Sequence, residues 1–173
     1  MPAPAHPQPG ASVVAIISDT HMPRGDRRLP DVCVTRLRAA DLIIHAGGLA
    51  ALPVLTELQS LGEVVAVAGN VDDAEVRAAL PLSALVTVAG RRVAVVHDAG
   101  PSGGRLARVR RRFPDADAVI FGHSHIPLHE SGPDGFQIFN PGSPTERRRS
   151  PHHTMGLAHV KDDRVAFELI TLD

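Results

Sequence analysis

Along the first 96 residues of the 173-residue chain, short apolar runs at 13–17, 42–45, 64–68 and 93–96 each end in polar, glycine or metal-capable residues. Continuous runs of Val, Ile, Leu and Ala without alternation are the pattern of strands buried on both faces. Between them lie stretches of helical composition, 31–40, 50–61 and 72–80. Strand–helix alternation at these lengths predicts a parallel α/β sheet with right-handed crossovers. After residue 80 the pattern changes. Runs 84–89 and 91–96 meet at Gly90 as a hairpin and a helix is expected over 105–113. Short strands follow at 118–121, 136–139, 156–160 and 164–171, the last two meeting at the charged turn 161–163. A second, partly antiparallel sheet is expected from this part of the chain. No internal repeat is present.

Several function classes are excluded early. A net charge of −1 argues against a protein that coats nucleic acid or a membrane surface, which leaves nucleic acid only as a substrate. No apolar run approaches the ~20 residues of a membrane helix. The single cysteine, Cys33, rules out an intrachain disulfide framework and is read as a small buried hydrophobe in a reducing compartment. Residues 1–11, with neither a basic nor an apolar leader segment, are expected to be a disordered tail, and 12–173 one cytoplasmic domain. A homo-oligomer is compatible with these features.

The strand ends carry the chemistry, as expected for ligand sites of open α/β sheets. The first run leads into Asp19-Thr20-His21, an oxygen and an imidazole two residues apart; alone, this is equally well a turn. The third leads into Gly69-Asn70, where Asn70 offers a carbonyl oxygen. Asp72 is read as the N-cap of the following helix and is kept out of the ligand set. The fourth ends in His97. The run at 118–121 ends in Gly122-His123-Ser124-His125, which can send two imidazoles to neighbouring metals where the backbone turns. Asn140-Pro141-Gly142-Ser143 forms a rigid turn that could bring amides or the Ser143 hydroxyl near a phosphate. His45 is equally well structural. The arginine runs 110–112 and 147–149 are more often solvated surface than ligand sites. His152 and His153 are read as loop residues, and Gly103-Gly104 lacks the context of a P-loop.

In this order, Asp19-x-His21, Gly69-Asn70, His97, Gly122-His123-x-His125 and Asn140-Pro-Gly-Ser resemble the calcineurin-like metallophosphoesterases, most closely their small bacterial and archaeal phosphodiesterase branch. The resemblance spans residues 13–172. It implies a four-layer αββα sandwich of two mixed sheets. It also implies one metal at Asp19, His21 and His125, and another at Asn70, His97 and His123, with Asn70 and His97 in catalytic roles. The reaction implied is hydrolysis of a small phosphodiester or related phosphorylated substrate by a metal-activated water or hydroxide. Manganese is the first expectation for the divalent ion or ions, with nickel, iron and zinc as alternatives.

Three departures stand out against that resemblance. Where the family has Gly-Asp after the second strand, with a carboxylate bridging the metals, this chain has Gly47-Gly48, so a one-metal site is in view. Asp98-Ala99 follows His97 in place of a Gly-His pair, and a strand neighbour of His97 tends to point away from the site. Val71 replaces a histidine usable as general acid, which favours diesters with good leaving groups. The alternative reading is a catalytically impaired binding or scaffold protein, like the retromer subunit of this fold. A Ser143-based hydrolase has no supporting motif.

Overall fold

The computed structural model describes residues 12–22, 25–70, 72–161 and 164–173. The expected tail at 1–11, Val71 and most of the expected 161–163 turn lie outside the described residues. The chain order begins β1 (Ser12–Ile17), α1 (Asp31–Ala39), β2 (Leu42–His45), α2 (Leu52–Leu61), β3 (Val64–Ala66) and α3 (Ala74–Ala79). It continues with β4 (Ser83–Val88), β5 (Arg91–Val96), α4 (Arg105–Arg112), β6 (Ala118–Ile120) and β7 (Leu128–Ser131). β8 (Gln137–Asn140), β9 (Thr154–Lys161) and β10 (Arg164–Thr171) complete it. Local chemistry agrees with these bounds. Asp31 opens α1 while Arg36 and Arg38 close it, matching the helix dipole. Pro53 stands in the first turn of α2, where a missing N–H costs nothing.

The strands form two five-stranded mixed sheets, ordered β10-β9-β1-β2-β3 and β4-β5-β6-β8-β7. Three apolar layers hold them. Val14, Ile16, Ile44 and Val160 of the first sheet meet Val86, Val95, Ile120 and Phe139 of the second. The outer face of the first sheet packs on Cys33 and Leu37 of α1, Leu58 of α2 and Val76 of α3. That of the second packs on Val109 of α4. The result is the αββα sandwich. Cys33 is fully buried, and burial pushes its thiol up to about 12.

Two expectations change. The β9–β10 hairpin does not extend the second sheet: β9 pairs antiparallel with β1, making the first sheet mixed. β7 follows the His125 turn as an edge strand on β8, and its half-exposed to exposed residues gave no apolar run to read.

Parallel register places the site. β1, β2 and β3 run parallel, as do β5, β6 and β8, so their carboxyl ends open at one edge of each sheet. Backbone bonds continue past the strands, from Asp19 N–H to Gly47 O (2.9 Å), His21 N–H to Gly48 O (2.9 Å) and Gly122 N–H to His97 O (3.0 Å).

Phe139 lies between the sheets and stacks on Phe167 with centroids 4.6 Å apart. Phe139→Ala should therefore lower unfolding free energy by about 3–5 kcal/mol, read as a shifted urea midpoint at unchanged slope.

Candidate metal centre

Asp19 is buried at the end of β1, and its two carboxylate oxygens have different surroundings. Oδ2 accepts from the Ser18 hydroxyl at 2.7 Å and the His123 backbone N–H at 3.0 Å. Oδ1 faces three imidazoles, with His125 Nε2 at 3.5 Å, His21 Nε2 at 3.8 Å and His97 Nε2 at 3.8 Å. Asp19, His21, His123 and His125 all have left-handed backbones, with φ of +57°, +45°, +76° and +63°. Such conformations are costly for bulky residues and cluster where function demands a particular aim of the side chain.

The hydrogen bonds at the far side of each ring assign its tautomer. The Nδ1–H of His97 donates to the Ala46 carbonyl at 2.7 Å, and that of His125 donates to the Glu146 carbonyl. Both Nε2 atoms are then bare lone pairs directed at Asp19. His97 Nε2 also stands 3.1 Å from Asn70 Oδ1. His125 Nε2 is buried without a hydrogen-bond partner. Buried polar atoms of native proteins are nearly always paired, and a group of convergent acceptors with no proton between them is paired by a cation. Ligand atoms of Asp19, His21 and His125 all fall within 4.8 Å of one another. Two ligands at right angles, each ~2.1 Å from one ion, stand ~3.0 Å apart, close to the His97–Asn70 separation. The donor set therefore fits a divalent ion.

Charge follows the same geometry. Burial alone would raise the Asp19 carboxyl, yet the His21, His97 and His125 imidazoles and the Ser18 hydroxyl together hold it below its ordinary value. Burial pushes His125 down, against the opposing pull of Asp19 and the Glu146 carbonyl. The centre is thus a carboxylate ringed by imidazoles.

All six sequence-predicted ligands are at this edge. Asn70 is exposed and His123 half-buried, its ring edge-on to His97 with centroids 5.4 Å apart. Gly48 borders the core of the site: a Cβ there would lie 2.9 Å from Asp19 Oδ1 and 3.3 Å from His21 Nε2. The position is aimed at the centre but supplies no ligand.

The surroundings correct several expectations. Asp72 does not cap α3; Asp73 does, accepting the Val76 N–H. Asp72 is buried and accepts from the amides of Gly48 (3.2 Å), Ala50 (2.7 Å) and Gly69, bracing the loops after β2 and β3. The Ser143 hydroxyl is instead committed to the backbone: buried, it donates to Asp19 O at 2.9 Å. Asp98 turns away from the site as the strand alternation implies, its Oδ1 accepting the Gly100 N–H at 2.8 Å in its own exposed turn. His45 is structural. Its Nδ1 accepts the Gly47 N–H, so its Nε2–H donates to Thr20 Oγ1 at 3.1 Å. His152 and His153 face Asp173. Among the basic runs, Arg110 pairs with Asp134, while Arg148 reaches toward the His123 carbonyl at the rim of the site. Sequence reasoning missed Asp72 as a brace and Glu146 altogether; the Asn140-Pro-Gly-Ser turn just before Glu146 was the available signal.

Residues 13–163 match the model of the calcineurin-like phosphoesterase superfamily domain. The chain is 32% identical to a probable metallophosphoesterase of Methanothermobacter thermautotrophicus over 91% of each chain. Its fold is similar to that of Vps29 of Entamoeba histolytica complexed with Zn2+, with TM-score 0.73, 22% identity and coverage of 93% of this chain and 99% of that one. A structure titled as a novel archaeal phosphodiesterase gives TM-score 0.70, 19% identity and coverage of 92% and 99%.

Burial lowers His45 from 6.5 to about 4. Between those values the unfolded chain binds a proton that the native chain refuses, so stability falls as pH drops from about 6.5 toward 4. His45→Gln should flatten the pH dependence of urea unfolding in that window by up to about 1.4 kcal/mol per pH unit; an unchanged slope contradicts the assignment.

Proposed function

Because the chain belongs to the calcineurin-like phosphoesterase superfamily, we propose that it is a metal-dependent hydrolase of small phosphodiesters. The observation that carries this reading is the buried, unpartnered Nε2 of His125, directed with the His21 and His97 nitrogens at Asp19 Oδ1. Asp19, His21 and His125 would hold one divalent ion. Asn70, His97 and His123 form a second, weaker position, since Gly48 withholds the carboxylate that would offset repulsion between two cations. A bound ion supplies Lewis acidity toward a phosphoryl oxygen and lowers the pKa of a water. The chain's own residues do the rest. Exposed Asn70 stands beside buried His97, where the two would orient the phosphoryl group, and Arg148 adds positive charge at the rim. Manganese comes first by resemblance to the family, whereas the imidazole-rich donor set by itself suits nickel, iron or zinc. Val71, without a proton to give, favours diesters over monoesters.

The second reading is a binding or scaffold protein on the same fold. Gly48 favours it, and the Vps29 likeness is compatible with it. Metal content and diester turnover separate the two.

Purified protein should contain metal and hydrolyse bis(p-nitrophenyl) phosphate with added Mn2+, and chelator should abolish the activity. His125→Ala should reduce kcat/KM at least about 100-fold. A metal-free, inert protein that gains both properties through Gly48→Asp would make this chain a binding module or a disabled enzyme instead.

Gly48→Asp carries its own signature. At φ +80° an L-residue costs about 1–2 kcal/mol, and the Cβ contact of 2.9 Å with Asp19 Oδ1 adds to it, so the metal-free variant should be less stable by at least that amount. Its Mn2+ stoichiometry should rise toward two. Gly48→Ala should show the stability loss without the second ion.

A further inference from the structure

Glu146 lies outside every motif of the chain, yet it meets two of the three ligands proposed for the first ion through different atoms. Its main-chain carbonyl accepts the His125 Nδ1–H. Its side-chain Oε2 is 2.9 Å from His21 Nδ1. That second contact lacks the alignment of a straight hydrogen bond, and neither atom has a hydrogen-bond partner. Oε1 pairs with the Arg27 guanidinium at 3.0 Å.

The position is built rather than incidental. Ser143 Oγ donates to Asp19 O (2.9 Å) and accepts the Glu146 N–H (2.9 Å), while Thr145 Oγ1 donates to Thr20 O at 2.6 Å. Residues 143–146 are thus pinned alongside 19–21, and the Glu146 carboxylate is delivered to the far side of the His21 ring. A bare Nδ1 would oppose its lone pair to the carboxylate at 2.9 Å, whereas Nδ1–H is attracted. The carboxylate therefore selects the tautomer that leaves Nε2 bare and directed at Asp19. Ligand imidazoles ordinarily hold such a carboxylate or carbonyl on the opposite nitrogen, and losing it costs 10–100-fold in metal affinity.

We infer that Glu146 is a positioning residue that sets the tautomer and aim of both His21, through its carboxylate, and His125, through its main-chain carbonyl. The inference rests on the metal-centre reading for its consequence but not for its geometry. The competing account makes Glu146 a half-exposed salt-bridge partner of Arg27 and nothing more, a contact of small net worth.

Two readouts test it on Glu146→Ala, Glu146→Gln and Arg27→Ala, each first verified as folded by circular dichroism and thermal melting. The first is the tautomer of each histidine in metal-free protein, from long-range 15N–1H NMR. In Glu146→Ala, His21 should move from Nδ1–H toward Nε2–H while His125, held by the main chain, stays Nδ1–H. The second is Mn2+ affinity by calorimetry. It should fall about 10–100-fold in Glu146→Ala and less in Glu146→Gln, which keeps a carbonyl acceptor and provides the readout if the alanine variant does not fold. Arg27→Ala breaks the ion pair but keeps the carboxylate, and should weaken Mn2+ less than Glu146→Ala. An unchanged His21 tautomer, with Mn2+ affinity of Glu146→Ala within twofold of wild type or equal to that of Arg27→Ala, overturns the inference. A wild-type protein that binds no Mn2+ sinks the metal reading instead, and the NMR arm still decides the role of Glu146.

Discussion

Asp19 Oδ2 is held by a hydroxyl and a backbone amide from two different loops, and this leaves Oδ1 facing the imidazoles of His21, His97 and His125. The rest of the site is arranged around that division of one carboxylate. β1 fixes the height of Asp19, the loop after β2 supplies Gly47 O for its amide, and the turn after β6 supplies the His123 N–H from the other sheet. A shift of either sheet relative to the other would open this bond. The packing of Ile16, Ile44, Ile120 and Phe139 between the sheets is therefore part of the chemistry as well as of the stability. The same layer sustains four left-handed non-glycine residues at the site, a concentration of strain that isolated loops would relax.

The loop after β2 shows how far the site retains its form around a missing ligand. Asp72 holds the amides of Gly48, Ala50 and Gly69, and Gly47 approaches His97 so closely that a Cβ there would sit 2.6 Å from its Nδ1. Gly48 thus stands in a braced loop, at bonding range of the centre, with nothing to bond. What changes is the charge balance: one carboxylate now answers for the whole set of imidazoles. Under the proposed metal reading, that favours a single tightly held ion over a pair.

Much of this was legible in the sequence because it is local. Apolar runs mark buried strands, and Asp19-x-His21 and His123-x-His125 sit where such runs stop. The unread parts are set by partners distant in sequence or by a choice between adjacent residues. β9 pairs with β1, more than 130 residues earlier in the chain, and carries β10 on its other edge, so nothing in their own composition says which sheet they join. Asp72 and Asp73 are chemically identical; the loop after β2, invisible locally, takes the first and leaves the second to cap α3. Glu146 reads as one more surface charge beside three arginines until the fold sets it against His21. Ser143 misled for the converse reason, since a hydroxyl in a Pro-Gly turn gives no sign that its proton is committed to Asp19 O.

The most direct test of a metal centre organised by Asp19 is diffraction from crystals grown with Mn2+, collected at a wavelength where manganese scatters anomalously. The account predicts a dominant peak within coordination distance of Asp19 Oδ1 and the Nε2 atoms of His21 and His125, with any peak at Asn70, His97 and His123 weaker. A map with no peak there, or with its strongest peak elsewhere on the protein, would contradict it.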